Sequence, residues 1–159
     1  AYRAPTTEQL FVLKHITGID ALAGHNRFAD ATPDMVEAIV EGIGEFAASE
    51  FAPLNRVGDT VGARLIDGNV VMPEGFVPAY KSYVENGWGS INAPAEFGGQ
   101  GLPFSLATVA LDSLGGANMA FALCRANRWA LSKPSIIMAA TRKRRCSCRT
   151  CRLGHGPAR

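Results

Sequence analysis

No apolar run in this sequence reaches the roughly 18 to 20 residues that a membrane-spanning helix requires, so a membrane protein of that kind is not expected. The opening Ala1-Tyr2-Arg3-Ala4-Pro5 leads into mixed polar sequence and lacks the apolar stretch of a secretory signal. Cysteine is scarce, with four in 159 residues. Without a secretion signal, a disulfide framework is not expected either. No repeat or low-complexity tract occurs before residue 125. These absences together imply a soluble, cytoplasmic protein. One further absence is local: residues 125–159 contain no acid at all.

What is present fits a folded domain. Hydrophobic residues make up 47% and charged residues 19%, a globular rather than a disordered composition. The length suits one ordinary domain with its own core and is too short for a large multidomain enzyme. The net charge of +2 averages two unlike segments. Residues 1–124 carry all 14 acids and six of the 16 basic residues, whereas residues 125–159 carry the other ten. Cys146, Cys148 and Cys151 also fall in that second segment. A change of composition this sharp marks a boundary.

The first segment reads as mostly helical. Thr6 and Gln9 have capping-box spacing at the start of a short helix, Leu10, Phe11, Leu13 and Ile16 give it an imperfect apolar face, and Gly18 is its expected stop. The clearest helix follows. Thr32 suits the N-cap, Pro33 the first helical position, and Asp34 the positive end of the helix dipole. Val36, Ile39, Val40, Ile43, Phe46 and Ala47 then recur at helical spacing, with Glu37, Glu41 and Glu45 on another face. Gly42 and Gly44 weaken this helix but let a neighbour approach closely, and Pro53 is expected to close it.

Residues 55–75 read as loop, with a short hairpin near 63–72 turning at Asp67-Gly68. A third helix is expected from Ala79 to Asn86, stopped by Gly87. A Gly- and Pro-rich loop over 92–103 separates it from a fourth helix, Pro103 to Leu114. The apolar stretch Ala117 to Cys124 opens a fifth.

Pro94-Ala95-Glu96-Phe97-Gly98-Gly99-Gln100-Gly101, with Gly87-Trp88 just upstream, resembles the Pro-x-Glu-aromatic-Gly-Gly-x-Gly loop in the N-terminal helical domain of the acyl-CoA dehydrogenases. Phe51-Ala52-Pro53-Leu54-Asn55, Asp59, Pro73-Glu74-Gly75-Phe76, Ala79-Tyr80-Lys81 and Ala117-Asn118 are similar to one bacterial branch of that family. The branch has an N-terminal extension and includes the 3-methylmercaptopropionyl-CoA dehydrogenases. The resemblance covers about residues 1–124, of which 1–31 would be the extension. It implies an all-α fold, a helical bundle of the acyl-CoA dehydrogenase N-terminal type.

The resemblance further implies an FAD-dependent enzyme that acts on an acyl-CoA. In the family, a carboxylate takes the proton α to the thioester carbonyl and the flavin takes the β-hydride, giving a 2,3-enoyl-CoA. The base and most flavin contacts belong to domains that this chain does not reach, so no residue here is assigned a catalytic or cofactor-binding role and no FAD is expected to be retained. The family's N-terminal domain helps wall the acyl pocket, which points to Phe121, Ala122 and Cys124. Read from the residues alone, these three are equally ordinary helix-packing positions. Trp88 reads as core, and Glu96 as part of the loop. Apolar faces without their partner domains favour self-association or homo-oligomers.

After Cys124 the resemblance stops in mid-helix, and the genetic code offers a reason. Taking the last base of each codon with the first two of the next, Trp129-Ala130 and Met138-Ala139 each force a glycine codon. With permitted third bases, Asn127 to Ala139 reads SVGAIEALNHHG, and both forced glycines fall where the family pattern has glycine. Loss of one base near the Cys124–Arg125 junction would produce residues 125–159 as an out-of-frame tail, disordered or irregular. Two other readings of the tail stay open. Cys146, Cys148, Cys151 and His155 have C-x-C-x₂-C-x₃-H spacing, a weak Cys₃His zinc pattern without a second CxxC pair. Arg142-Lys143-Arg144-Arg145 with Arg149 and Arg152 would adhere to nucleic acid nonspecifically. Trp129 is the only aromatic residue there to stack on bases.

Overall fold

The computed structural model describes residues 1–123. Its elements run α1 (Thr6–Phe11), two 3₁₀ turns (Ile19–Gly24 and Asn26–Phe28), α2 (Pro33–Phe46), α3 (Ala52–Thr60), β1 (Arg64–Ile66), β2 (Asn69–Val71), α4 (Phe76–Glu85), a 3₁₀ turn (Ala95–Phe97) and α5 (Phe104–Ala117). A further helix opens at Met119. The architecture is all-α with one two-stranded ribbon, as the sequence predicts.

α2 lies at the centre because its apolar stripe is the most complete. Val36, Ile39, Val40, Ile43 and Phe46 are all buried, and α1 and α5 pack against them. The Thr32 hydroxyl accepts from the Met35 amide at 3.3 Å, and Pro33 occupies the first turn. Gly44 lets α1 come close, since a β-carbon there would sit 2.8 Å from the Thr6 methyl. α5 presents Leu106, Ala107, Ala110, Leu114 and Ala117, leucines and alanines at helical spacing that seat it on α2.

Four sequence expectations are corrected. The Thr6/Gln9 capping box does not form: Pro5 precedes the first turn with no side-chain cap, and the Gln9 amide reaches α5 instead. A buried partner outcompetes an exposed cap.

Pro53 does not end the central helix. A π-helical turn, Ala47–Phe51, joins α2 to α3, and the Ala52 amide bonds five residues back to Ala47. Pro53 then sits at the start of α3, where its missing N–H is not needed. Residues 55–60, expected as loop, are therefore helical. α4 also begins earlier than expected, at Phe76, because Gly75 (φ +89°) supplies the turn into it and Pro78 fits the unbonded first turn.

The hairpin turns at Asp67-Gly68 as expected, with φ of +49° and +76°, the paired positive values of a type I′ turn. Its register sets Arg64 opposite Val71, Leu65 opposite Val70 and Ile66 opposite Asn69. Every strand residue is exposed.

Candidate functional site

The glycine-rich loop is closed on itself by its own backbone. Gly87 (φ +73°) ends α4, and its carbonyl accepts from both the Ser90 hydroxyl and the Gln100 side-chain amide at 3.0 Å. Across the loop, the Gln100 amide donates to the Ser90 carbonyl, Gly101 to Ala93 and Leu102 to Ile91, at 2.9–3.0 Å. Within the tip, the Phe97 and Gly99 amides both donate to the Pro94 carbonyl, and Gly98 donates to Ala95. Gly98 and Gly101 adopt positive φ. At Gly99 the need is spatial, because a β-carbon would lie 2.0 Å from the Ala93 carbonyl oxygen. Ile91 and Leu102, both buried, anchor the base of the loop. Pro94, Glu96 and Phe97 ride on that frame, with the Glu96 carboxylate exposed.

The core holds an aromatic stack. Phe121 is sandwiched between Phe51 (4.3 Å between centroids, 25° between planes) and Phe76 (4.8 Å, 11°). Phe51 also meets Phe46 at 5.4 Å and Tyr83 at 6.0 Å. Trp88 packs against Phe46 and lies over Gly42, joining the core as the sequence suggests.

Asn118 locks this stack in place. It is buried between the end of α5 and the next helix; its amide donates to the Phe51 carbonyl at 3.3 Å, and its side-chain oxygen accepts from the Phe121 backbone at 3.4 Å. The π-turn places the Phe51 carbonyl within reach of that donor. Ala122 is buried beside Gly115. Phe121 and Ala122 are both buried, Phe121 in the stack and Ala122 against Gly115, while Cys124 lies outside the described residues.

Sequence reasoning missed a third cluster. The Gln9 side-chain amide donates to Asp112 Oδ2 at 2.9 Å and to Ser113 Oγ at 3.0 Å, and the Tyr2 hydroxyl donates to the Ser113 carbonyl at 2.8 Å. Its signal was a lone serine on the apolar stripe of α5. Burial, then the nearby Asp112 carboxylate, raises the Tyr2 phenol above its ordinary value of 10.0. Folding therefore favours the neutral phenol. That contribution is fully present below pH 10 and is lost as pH rises through the raised folded value. Alkaline titration followed by circular dichroism should show a steeper loss of stability above pH 10 for the native chain than for Tyr2→Phe. Identical profiles would mean that Tyr2 is not held this way.

Among the described residues no three His, Cys, Asp or Glu side chains gather as a metal site. The weak zinc set Cys146, Cys148, Cys151 and His155 lies outside them. No described helix is long and apolar enough to cross a membrane. The arrangement is a buried aromatic stack held by Asn118, with a separate polar cluster tying Tyr2 and Gln9 to α5.

No family model matches the chain. It is 37% identical over 123 residues to a protein from Ruegeria pomeroyi, 3-methylmercaptopropionyl-CoA dehydrogenase. The match takes in 77% of this chain and 21% of that protein, so the chain spans about a fifth of its relative's length.

Proposed function

We propose that the chain, 37% identical over 123 residues to a 3-methylmercaptopropionyl-CoA dehydrogenase, is the N-terminal region of acyl-CoA dehydrogenase type and a piece of a flavin-dependent enzyme that desaturates an acyl-CoA thioester between its α and β carbons. The observation that carries this reading is the match of more than a third of residues across a segment as long as the whole acidic part of the chain. In the full-length family, bound FAD supplies the hydride acceptor.

The residues described here do not fit a flavin site of their own. The one glycine-rich loop spends the amides of Phe97, Gly98, Gly99, Gln100, Gly101 and Leu102 on its own carbonyls, leaving none of them to receive a diphosphate. No step of the reaction is therefore assigned to this chain.

Its contribution in the proposed enzyme is positional. The Asn118 clamp and the stack of Phe51, Phe121 and Phe76 fix where the helix after Asn118 begins, and that helix is the part of the domain that would face an acyl chain. Phe121 and Ala122 act in this reading as backing for the wall. On the same reading, residues 1–124 form the domain, with 1–31 as its extension, and residues 125–159 are translated out of frame.

Two measurements test this. Sequencing the DNA through the Cys124 codon and several hundred bases beyond should reveal that one restored base opens a frame of flavin-domain type. A frame that ends at Arg159 with nothing family-like beneath it would remove the frameshift and bring the zinc and nucleic-acid readings forward. The purified chain should retain no FAD and reduce no dye with an acyl-CoA. Stoichiometric flavin with turnover would overturn the assignment of those functions to other domains.

A further inference from the structure

α4 ends on a dipeptide that occurs nowhere else in the chain. Asn86 keeps a helical conformation, with φ −75° and ψ −2°, and Gly87 turns left-handed at +73° to stop the helix. Of the seven asparagines in the sequence, Asn86 alone is followed by glycine; the others precede Arg, Val, Ala or Met. A glycine nitrogen has no β-carbon beside it, so it is the least hindered nucleophile toward the side chain of the residue before it. Asn86 is exposed, so water reaches it.

The fold engages both groups. Asn86 Nδ2 donates to the Ser82 carbonyl at 2.8 Å, which turns the carboxamide back along α4. The Gly87 amide donates to the Val84 carbonyl at 3.0 Å. The Gly87 carbonyl takes three donors, the Ser90 amide at 2.9 Å and the Ser90 hydroxyl and Gln100 side-chain amide at 3.0 Å. Bonds in the last turn of a helix are among the first to open. Each opening releases the Gly87 nitrogen and lets the Asn86 carboxamide swing toward it.

We infer that Asn86-Gly87 is a site of self-modification held in check by the glycine-rich loop. The Gly87 nitrogen bonds to Asn86 Cγ, the Cγ–Nδ2 bond breaks, and the Gly87 amide proton leaves with Nδ2 as ammonia. Water then opens the five-membered imide at Cγ to give aspartate, or at the main-chain carbonyl to give isoaspartate. Nothing is oxidised or reduced. Either product loses the donor to Ser82 and sets a negative charge beside Glu85 at the carbonyl end of α4, where the helix dipole disfavours it. Isoaspartate also lengthens the main chain by one carbon before Gly87, which carries the Gly87 carbonyl off its three donors. The loop then loses its tie to α4. This inference goes beyond the enzymatic reading and does not depend on it.

Incubation of the full chain in mildly alkaline buffer, followed by mass mapping, tests it. Cleavage after glutamate releases residues 86–96, and residue 86 should gain about 1 Da, amide becoming acid, ahead of every other asparagine. An aspartate–glycine pair such as Asp67-Gly68 gains no mass by the same route. Gln100→Ala, at an exposed side chain, should react about fivefold faster in native buffer, the equivalent of one hydrogen bond of about 1 kcal/mol. In urea, where no loop remains, the variant and the native chain should react alike. The more acidic fraction, separated by ion exchange, should unfold at lower urea than the fresh chain and than Asn86→Asp, which carries the charge without the longer backbone. Residue 86 intact while other asparagines react, equal native-buffer rates with and without Gln100, or an acidic fraction as stable as the fresh chain overturns the inference.

Discussion

Gly99→Ala should cost about 3 kcal/mol or more of folding stability, far beyond the ordinary effect of adding one methyl group. The added carbon would enter the Ala93 carbonyl oxygen, and that oxygen already accepts the Gly101 amide. Relief requires opening the cross-loop bonds Gln100–Ser90, Gly101–Ala93 and Leu102–Ile91, which together set the direction in which α5 leaves. Urea denaturation followed by circular dichroism measures the loss. Gly24→Ala is the control: its φ is not positive and nothing lies within 4 Å of the new carbon, so a change within about 0.5 kcal/mol is expected. If the two variants unfold at the same midpoint, the loop is not the close-packed element described.

Phe51→Ala should cost about 4 kcal/mol. The ring is 2% exposed and touches Phe46, Tyr83 and Phe121 at once, so its loss leaves a cavity with aromatic walls on several sides. The backbone carbonyl of residue 51 keeps its bond to Asn118 in the variant, so the measurement isolates the ring. Against a total stability of roughly 5–15 kcal/mol for a domain of this kind, such a loss leaves a large unfolded fraction on warming. Phe104→Ala, at a ring 50% exposed, should shift the midpoint by a small fraction of that. Equal shifts for the two would place the core elsewhere.

How far the sequence could be read depended on how local the deciding interaction was. α2 was legible because Thr32, Pro33 and its apolar stripe all act within one helix. The Asp67-Gly68 turn and the Gly87 stop were legible for the same reason. Gln9 was misread because the cap three residues away lost to Asp112 and Ser113, 103 and 104 residues on. Pro53 was misread because the π-turn that accommodates it owes one carbonyl partner to Asn118. Phe121 could be placed on a helix from its spacing. Its position between Phe51 and Phe76 exists only once three separate elements have met.

The strap from Tyr2 and Gln9 to α5 also has a consequence in time. Its hydrogen bonds join Tyr2 and Gln9 to residues 112 and 113, and a ribosome adding about 5–20 residues per second reaches those on the order of ten seconds later. For that interval Gln9 and Tyr2 have no partners on α5, and Leu13 has no finished core to enter. The α1 segment therefore waits, exposed to chaperones and proteases, until α5 is synthesised. Anything that slows translation between residues 20 and 110 lengthens that exposure without changing the folded protein at all.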